Sequence, residues 1–323
     1  MRKITRAMQM VSAAKMRKAQ NAVVSSRTYA DLAWELVQNV SGVIPVTEPG
    51  STNSMDSGTF SDPLLASGMT QLLSTYPKAK KIGVVILGSN GGLVGSLNSN
   101  LANKLRELTV IDPSNKSYTT NHEVILPFDS AALHSGRNHE VIVEAIVYGK
   151  KAKSVAQRMK KSILADFQKN DKTITTQDVF PLAKYITDAY TSGEYQKIVL
   201  VYNNFVSTLV QKPTIKQLLP FINTTLSVPS QTSHLKPTTD FLFEPSPSEV
   251  LEHLIPRIVE SQIYEAILES NASEHSARMV MMKNATEAAG DLIDDLSLTY
   301  NQLRQGKITT ELAEITAGRI ALE

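Results

Sequence analysis

Cysteine is absent from the 323 residues, and tryptophan occurs once, at Trp34. Without a thiol the chain forms no disulfide, no thiolate metal site and no cysteine nucleophile, which fits a reducing compartment. Aromatic residues make up only 6% of the chain, so we do not expect an aromatic stacking platform. The longest apolar run, Ile82 to Leu87, is far shorter than the ~20 residues that span a bilayer. The sequence therefore predicts no membrane-spanning helix.

Charge of one sign is not in excess either, because 33 basic residues face 31 acidic ones. A net charge of +2 argues against a dedicated nucleic-acid binder, whose affinity comes from a large cationic excess. The distribution is uneven, however. All charged residues before the first acidic one, Asp31, are basic: Arg2, Lys3, Arg6, Lys15, Arg17, Lys18 and Arg27. An acidic protein partner and a plain solvated face both stay open for this segment, whereas a membrane-lying helix fits least.

Proline and glycine are missing from residues 1–41, where strong helix formers dominate, and proline is missing again after Pro256. We therefore predict long helices over 1–41 and 257–323. The second one carries a heptad stripe: His275, Met279, Met282, Thr286, Ala289, Ile293, Leu296, Tyr300 and Leu303. The first carries a looser stripe: Ile4, Ala7, Met8, Val11 and Ala14. These patterns indicate an antiparallel coiled coil, with separate packing of each helix on the rest of the chain as the alternative.

Strand and helix patterns alternate in the middle of the chain, over residues 76–245. Strands are predicted at 81–87, 141–148 and 197–202, helices at 97–108, 152–166 and 181–191, and an edge strand at 214–219. This order is typical of an α/β fold with a mainly parallel, Rossmann-like sheet. Residues 50–63 are rich in Ser, Thr, Gly and Asp and indicate a flexible insertion.

A glycine-rich turn follows the first predicted strand, where a dinucleotide fingerprint would lie. The pattern G-x-G-x-x-G is only partly met by Asn90, Gly92 and Gly95, with Asp112 near the place of a ribose-binding carboxylate. A tight structural turn is therefore the favoured interpretation. The sequence has no Walker A motif, no G-x-S-x-G elbow and no zinc spacing among His122, His134, His139, His234, His253 and His275. We expect no catalytic residue, cofactor site or metal site.

Six segments carry a resemblance to a known family. They are residues 2–20 (RKITRAMQMVSAAKMRKAQ), 91–100 (GGLVGSLNSN), 213–220 (PTIKQLLP), 240–245 (DFLFEP), 273–286 (SEHSARMVMMKNAT) and 298–315 (LTYNQLRQGKITTELAEI). With them the chain resembles the gamma subunit of F-type ATP synthase. The resemblance implies a non-catalytic rotor. Its terminal helices would turn inside a ring of alpha and beta subunits, and its central domain would bind the epsilon subunit and the c-ring.

The resemblance also implies particular contact residues. Beta-subunit contacts fall on Met8, Arg278, Gln305 and Thr309, and c-ring contacts on Arg27, Tyr29, Phe241, Phe243 and Glu244. For Gln305 and Thr309 an ordinary helix surface stays open, and for Phe241 and Phe243 an edge strand of the core. The implied location is the cytoplasmic side of a bacterial inner membrane, peripheral, with no insertion into the bilayer and no nucleic-acid partner. The coupling ion, proton or sodium, stays open.

The sequence departs from the family at several places. Val94 and Ser96 stand where the family's glycine-rich element has cysteine and glycine, and the lack of cysteine excludes the thiol control of the chloroplast type. Residues 50–63 and 111–139 are expected to be insertions, and family members usually extend further before the position of Met1. Two other classes compete: a nucleotide-binding oxidoreductase with helical dimerisation arms, and a basic coiled-coil nucleic-acid binder.

Overall fold

A computed structural model describes residues 2–41, 72, 76, 79, 81–109, 142–170, 174–220 and 247–320, of which 27–31, 33–41, 247–249 and 251–252 are described by backbone alone. The helices and strands follow in this order: α1 (Arg2–Ser41), β1 (Lys81–Leu87), α2 (Leu97–Thr109), β2 (Ile142–Tyr148), α3 (Lys150–Arg158), β3 (Ser162–Phe167), α4 (Thr176–Thr191), β4 (Tyr195–Phe205), β5 (Gln211–Leu219) and α5 (Pro247–Ile320). The predicted insertions 50–63 and 111–139, with Asp112, lie outside these residues.

The strands form one sheet in the order β3-β2-β1-β4-β5. The pairs β1–β2, β1–β4 and β2–β3 are parallel, with Val85 opposite Ile146 on one side and Leu200 on the other. Only β5 runs antiparallel, joined to β4 as a hairpin, and Pro213 is tolerated there because β5 is an edge strand. The predicted α/β fold with a mainly parallel sheet is confirmed.

Helices cover both faces of the sheet. Successive residues of a strand point to opposite faces, so each strand contributes side chains to both cores. On one face Val85 and Leu87 pack with Ile186 of α4 and Val259 of α5. On the other face Val84 and Ile86 of β1 pack against α2 and α3, where the contacting residues are Leu101, Leu105 and Val155. The sheet with α2, α3 and α4, called the body below, is therefore doubly wound, and α5 supplies part of its core.

The prediction of one helix over 152–166 was wrong. Helix α3 ends at Arg158, Lys160 takes a φ of 52°, and residues 162–167 form the strand β3 at the sheet edge. Edge position explains the missed strand: its side chains alternate between exposed and half-buried, so it lacks a continuous apolar run. Helix α4 also begins earlier than predicted, at Thr176, because Thr175 and Asp178 form a capping box.

Helices α1 and α5 pair antiparallel, as predicted. The Thr286 hydroxyl donates to the Thr5 hydroxyl over 2.8 Å, and Gly290 lies next to the Arg2 guanidinium. The contact stripe on α1 differs from the predicted one, since Ile4 and Val11 are exposed while Ser12, Met16 and Val23 are buried. Small polar residues occupy part of the seam because they let two helix backbones approach closely, which a search for apolar residues alone misses.

Helix α5 has 74 residues, which corresponds to about 110 Å. It begins at Pro247 rather than after Pro256, since proline suits the first helical position and buried Ile255 and Val259 hold the chain on both sides of Pro256. Beyond Gly290 the predicted seam continues without a partner in the described residues, and Ile293, Leu296, Tyr300 and Leu303 are exposed. No helix in the described part of the chain is long and apolar enough to cross a membrane.

Candidate functional site

The glycine-rich turn after β1 lies at the carboxyl ends of the parallel strands, the edge where open α/β sheets bind ligands. Gly88 is required there, because a Cβ on it would lie 2.5 Å from the backbone nitrogen of Ala152. Gly95 has a φ of 59° and packs on Met281 of α5, and Gly91 faces the Arg278 guanidinium. The turn therefore contacts the long helix directly.

Small residues allow α5 to pack closely against this edge of the body. Ala272, Ser273, Ser276 and Ala277 are all buried, so the helix lies close to the strand ends. The Ser273 hydroxyl donates to the Asn203 carbonyl over 2.9 Å, and the Ser276 hydroxyl donates to the Thr208 carbonyl over 2.5 Å. These bonds fix α5 against β4 and the turn that follows it.

Three charged side chains, Lys169, Glu274 and Arg278, join the body to α5 and are called the ion cluster below. Lys169, just after β3, donates to one carboxylate oxygen of Glu274 over 2.6 Å, and Arg278 donates to the other over 2.7 Å. The side chains of Lys169 and Glu274 are only 5% and 6% exposed, and that of Arg278 is 15% exposed. Arg278 Nε also donates to the Gly92 carbonyl over 3.3 Å. A single carboxylate thus holds two cations from different parts of the chain.

The cluster shifts the titration of two groups. Burial alone would raise the pKa of Glu274, but the charges and hydrogen bonds of Lys169 and Arg278 outweigh it and lower the pKa to about 2. Burial, reinforced by the positive charges of Arg278 and Lys169, lowers the pKa of His275 to about 4. At neutral pH Glu274 is therefore ionised and His275 uncharged, which agrees with the Arg278 Nη1 lying 3.3 Å from His275 Nδ1.

A crevice of about 300 Å³ opens beside the ion cluster, between α1, the glycine-rich turn and α5. Its lining consists of Met8, Lys15, Gly91, Gly92, Leu93, Lys169, Asn170, Asn271, Glu274, His275 and Arg278. The Oδ1 atom of Asn271 is buried there without a hydrogen-bond partner. Among the described residues, no group of three or more His, Asp and Glu side chains is placed to hold a metal ion.

The structure brings two of the implied contact residues together, since Met8 and Arg278 line the same crevice. Gln305 and Thr309 lie far along α5, exposed, where the Thr309 hydroxyl donates to the Gln305 carbonyl over 2.9 Å. The side chains of Arg27 and Tyr29 lie outside the described residues, as do Phe241, Phe243 and Glu244.

Sequence reasoning missed the partners that hold Arg278. The spacing of Glu274 and Arg278, one helical turn apart, is typical of an ion pair and could have indicated that half of the cluster. No local pattern points to Lys169, which is 105 residues away from Glu274 in the chain. Its role depends on how β3 ends beside α5.

The fold and the site together define a class of protein: a Rossmann-type body fixed to an antiparallel pair of long helices, one of which extends far beyond the other. The family model described as ATP synthase matches residues 1–322. The ATP synthase gamma chain of Roseiflexus castenholzii is 35% identical over 319 residues, covering 99% of this chain and 92% of the relative. That of Legionella pneumophila strain Corby is 32% identical over 321 residues, covering 99% and 94%.

Solved structures share the fold. The central stalk and c-ring structure of Tetrahymena thermophila mitochondrial ATP synthase includes a chain matching with a TM-score of 0.53 and 21% identity, covering 88% of this chain and 99% of that one. A Euglena gracilis mitochondrial ATP synthase chain matches with a TM-score of 0.51 and 17% identity, covering 98% and 95%. The chain belongs to the ATP synthase gamma chain family. It is thus a non-catalytic stalk subunit, and the oxidoreductase alternative is not favoured.

Proposed function

We propose that α1 and α5 form the shaft of a rotary, F-type ATP synthase and that the body connects this shaft to the membrane ring. Alpha and beta subunits surround the shaft, and the epsilon subunit and the c-ring bind the body. Ion-driven rotation of the c-ring turns the chain, and the turning shaft drives the catalytic sites of the surrounding ring through ATP synthesis or hydrolysis. The complex lies peripherally on the cytoplasmic side of a bacterial inner membrane.

The exposed apolar side of α5 carries this proposal. Past Gly290 the helix presents large apolar side chains to solvent, among them Leu296, Tyr300 and Leu303, which are 60%, 66% and 70% exposed. Apolar residues at helical spacing on an uncovered helix mark a face that a partner buries. A ring of subunits around the shaft would cover all sides of such a helix. That geometry also explains why Leu312 and Ile315 can face a different side from Leu303.

We place the beta-subunit contacts on Met8, Arg278, Gln305 and Thr309. Met8 and Arg278 lie in the crevice. Gln305 and Thr309 lie beyond Gly290, towards the C-terminal end of α5. An arginine offers forked donors to a carboxylate, while glutamine and threonine offer neutral bonds that can be broken and remade as the shaft turns.

The substitution Met8→Lys tests the contact at the crevice. A fourth cation in the crevice, beside Lys15, Lys169 and Arg278, should attract acidic groups of the surrounding ring and hold the shaft, so ATP-driven proton pumping should fall more than ATP hydrolysis. Met10→Lys is the matched control, because Met10 is 61% exposed and does not line the crevice. Equal pumping-to-hydrolysis ratios in the two variants would refute the assignment of Met8.

Because the chain has no cysteine, a single introduced cysteine is its only thiol, and each crosslink can be assigned to one position. Thr309→Cys should crosslink to a cysteine in a beta-subunit loop, whereas Lys151→Cys, exposed on α3 of the body and therefore outside the ring, should not. Glu244→Cys tests the c-ring contact proposed for Arg27, Tyr29, Phe241, Phe243 and Glu244. It should crosslink to a cysteine in a c-ring loop, and Glu107→Cys, exposed on α2, should not. The reverse pattern in either pair would move that contact elsewhere.

A further inference from the structure

The turn that joins β4 to β5 presents large aliphatic side chains to solvent. Val206, Leu209 and Val210 are 59%, 77% and 54% exposed, and residues 206–210 are called the hairpin tip below. No charged residue occurs within the hairpin tip. Single exposed apolar residues are common on protein surfaces, but three of them in a five-residue turn form the kind of patch that a partner covers.

Hydrogen bonds hold the backbone of the hairpin tip in one conformation. The Ser207 N–H donates to the Val210 carbonyl over 3.0 Å, and the Val210 N–H donates to the Ser207 hydroxyl over 3.1 Å. The Thr208 carbonyl accepts from the Gln211 side-chain amide over 3.1 Å and from the Ser276 hydroxyl of α5 over 2.5 Å. The exposed side chains are therefore carried by an ordered backbone, so binding a partner costs little further conformational entropy.

The hairpin tip lies where α5 leaves the body. Ser273 bonds to the carboxyl-terminal part of β4 and Ser276 to the tip itself, and the remaining turns of α5 project away from the sheet. Ser276 and Arg278 point to nearly opposite sides of α5, because each residue turns the helix by about 100°. Since Arg278 contacts the glycine-rich turn, α5 passes between that turn and the hairpin tip. The tip is thus separated from the crevice by the helix.

We propose that the hairpin tip is a further contact with the ring of alpha and beta subunits, in which Val206, Leu209 and Val210 pack against aliphatic side chains at the end of the ring that faces the body. This inference rests on the proposed function, in which the ring surrounds the projecting part of α5. The ring then lies over the edge of the body from which α5 leaves, and the tip is on that edge.

The chemistry of the tip suits a contact that moves. Packing between aliphatic side chains is non-directional, so it can be broken and remade on successive subunits as the chain turns. No charge of the tip has to be removed from water at each step, because residues 206–210 carry none. The tip therefore differs from the contacts proposed for Arg278, Gln305 and Thr309, which depend on hydrogen bonds.

The test is the labelling rate of a single cysteine, read from the mass of this chain. In Leu209→Cys, a maleimide should react at least about tenfold more slowly in the complex with alpha and beta subunits than in the full-length chain alone, because a covered thiol is inaccessible. Ile142→Cys is the matched control, since Ile142 is 48% exposed at the start of β2, on the opposite edge of the body. Its labelling rate should change by less than about twofold on assembly.

The epsilon subunit is the other candidate occupant, and separate complexes distinguish it from the ring. Protection of Leu209→Cys by alpha and beta subunits without epsilon supports the proposal. Protection that appears only when epsilon is present would overturn it, and so would equal labelling rates in the free and assembled chain.

Thr309→Cys, labelled in the same complexes, tests the proposed function separately. If the ring protects Thr309→Cys but not Leu209→Cys, the contact at the hairpin tip is wrong and the shaft assignment stands. If the ring protects neither variant, α5 does not lie inside the ring, and the proposed function fails together with this inference.

Discussion

The ion cluster gives the sharpest prediction of stability. Lys169→Met removes one of the two cations bound to Glu274 and keeps an unbranched apolar side chain that is one atom shorter. The side chains of Lys169 and Glu274 are 5% and 6% exposed, so water cannot replace the lost contact. Removing one partner of a buried ion pair typically costs 3–5 kcal/mol. Because Arg278 still contacts Glu274 over 2.7 Å, we expect a smaller loss for Lys169→Met, about 2 kcal/mol.

Glu274→Gln should be more harmful than Lys169→Met. It removes the one carboxylate that both cations share, so Lys169 and Arg278 remain buried without a counter-charge. We expect a loss of about 4 kcal/mol in the free energy of unfolding. The double variant, with Met and Gln at these positions, no longer buries the lysine charge and should lose about 4 kcal/mol rather than the sum of about 6 kcal/mol.

The assay is urea-induced unfolding of the full chain, followed by circular dichroism, with equal slopes required before the free energies are compared. Lys153→Met is the matched control, since Lys153 contacts Asp166 over 2.8 Å but the two side chains are 47% and 38% exposed. Its effect should stay below about 1 kcal/mol and shrink further in salt. Strict additivity in the double variant, or equal losses for Lys169→Met and Lys153→Met, would show that the cluster has no special energetic role.

Two further predictions concern the turn and the pH dependence. Gly88→Ala should destabilise the body by about 3 kcal/mol or more, because its Cβ would lie 2.5 Å from a backbone nitrogen. Gly92→Ala should cost less than about 1 kcal/mol, because nothing lies within 4 Å of its Cβ position. Equal midpoints of thermal unfolding in the two variants would contradict this prediction. Since the folded-state pKa of His275 is about 4, the unfolded chain binds more protons below the ordinary value of 6.5, so His275 lowers stability as the pH falls from 6.5 towards 5 by roughly 1 kcal/mol per pH unit. His275→Gln should flatten this slope in urea titrations at several pH values, and an unchanged slope would assign it to other groups.

Apolar and glycine patterns in the sequence determined the main elements of the fold. Residues 81–87 are apolar almost throughout because β1 lies in the middle of the sheet with both faces covered. The absence of glycine and proline up to Ser41 determined α1, because nothing in that stretch interrupts helical hydrogen bonding. The heptad stripe on α5 likewise predicted which side faces α1, and His275, Met282 and Thr286 do lie on that side.

Patterns failed where packing between distant segments decides the structure. The edge strand β3 lacks a buried face of its own, so its residues were predicted to continue a helix. The contact stripe of α1 uses Thr5 and Ser12, whose presence at a helix seam depends on how closely α5 approaches. The start of α5 at Pro247 depends on the sheet that covers Ile255 and Val259.

The candidate site also has a part that the sequence predicted and a part that only the tertiary structure decided. Its chemistry was visible in the sequence as a basic N-terminal segment, a glycine-rich turn and Arg278, and the resemblance connected Met8 with Arg278. The crevice itself, and the burial of Lys169 against Glu274, follow only from the tertiary structure. Residues separated by more than 100 positions meet there because the carboxyl ends of parallel strands share one edge of the sheet and α5 passes across it. Local sequence determines which charged side chains are available, and the topology of the sheet decides which of them meet in the ion cluster.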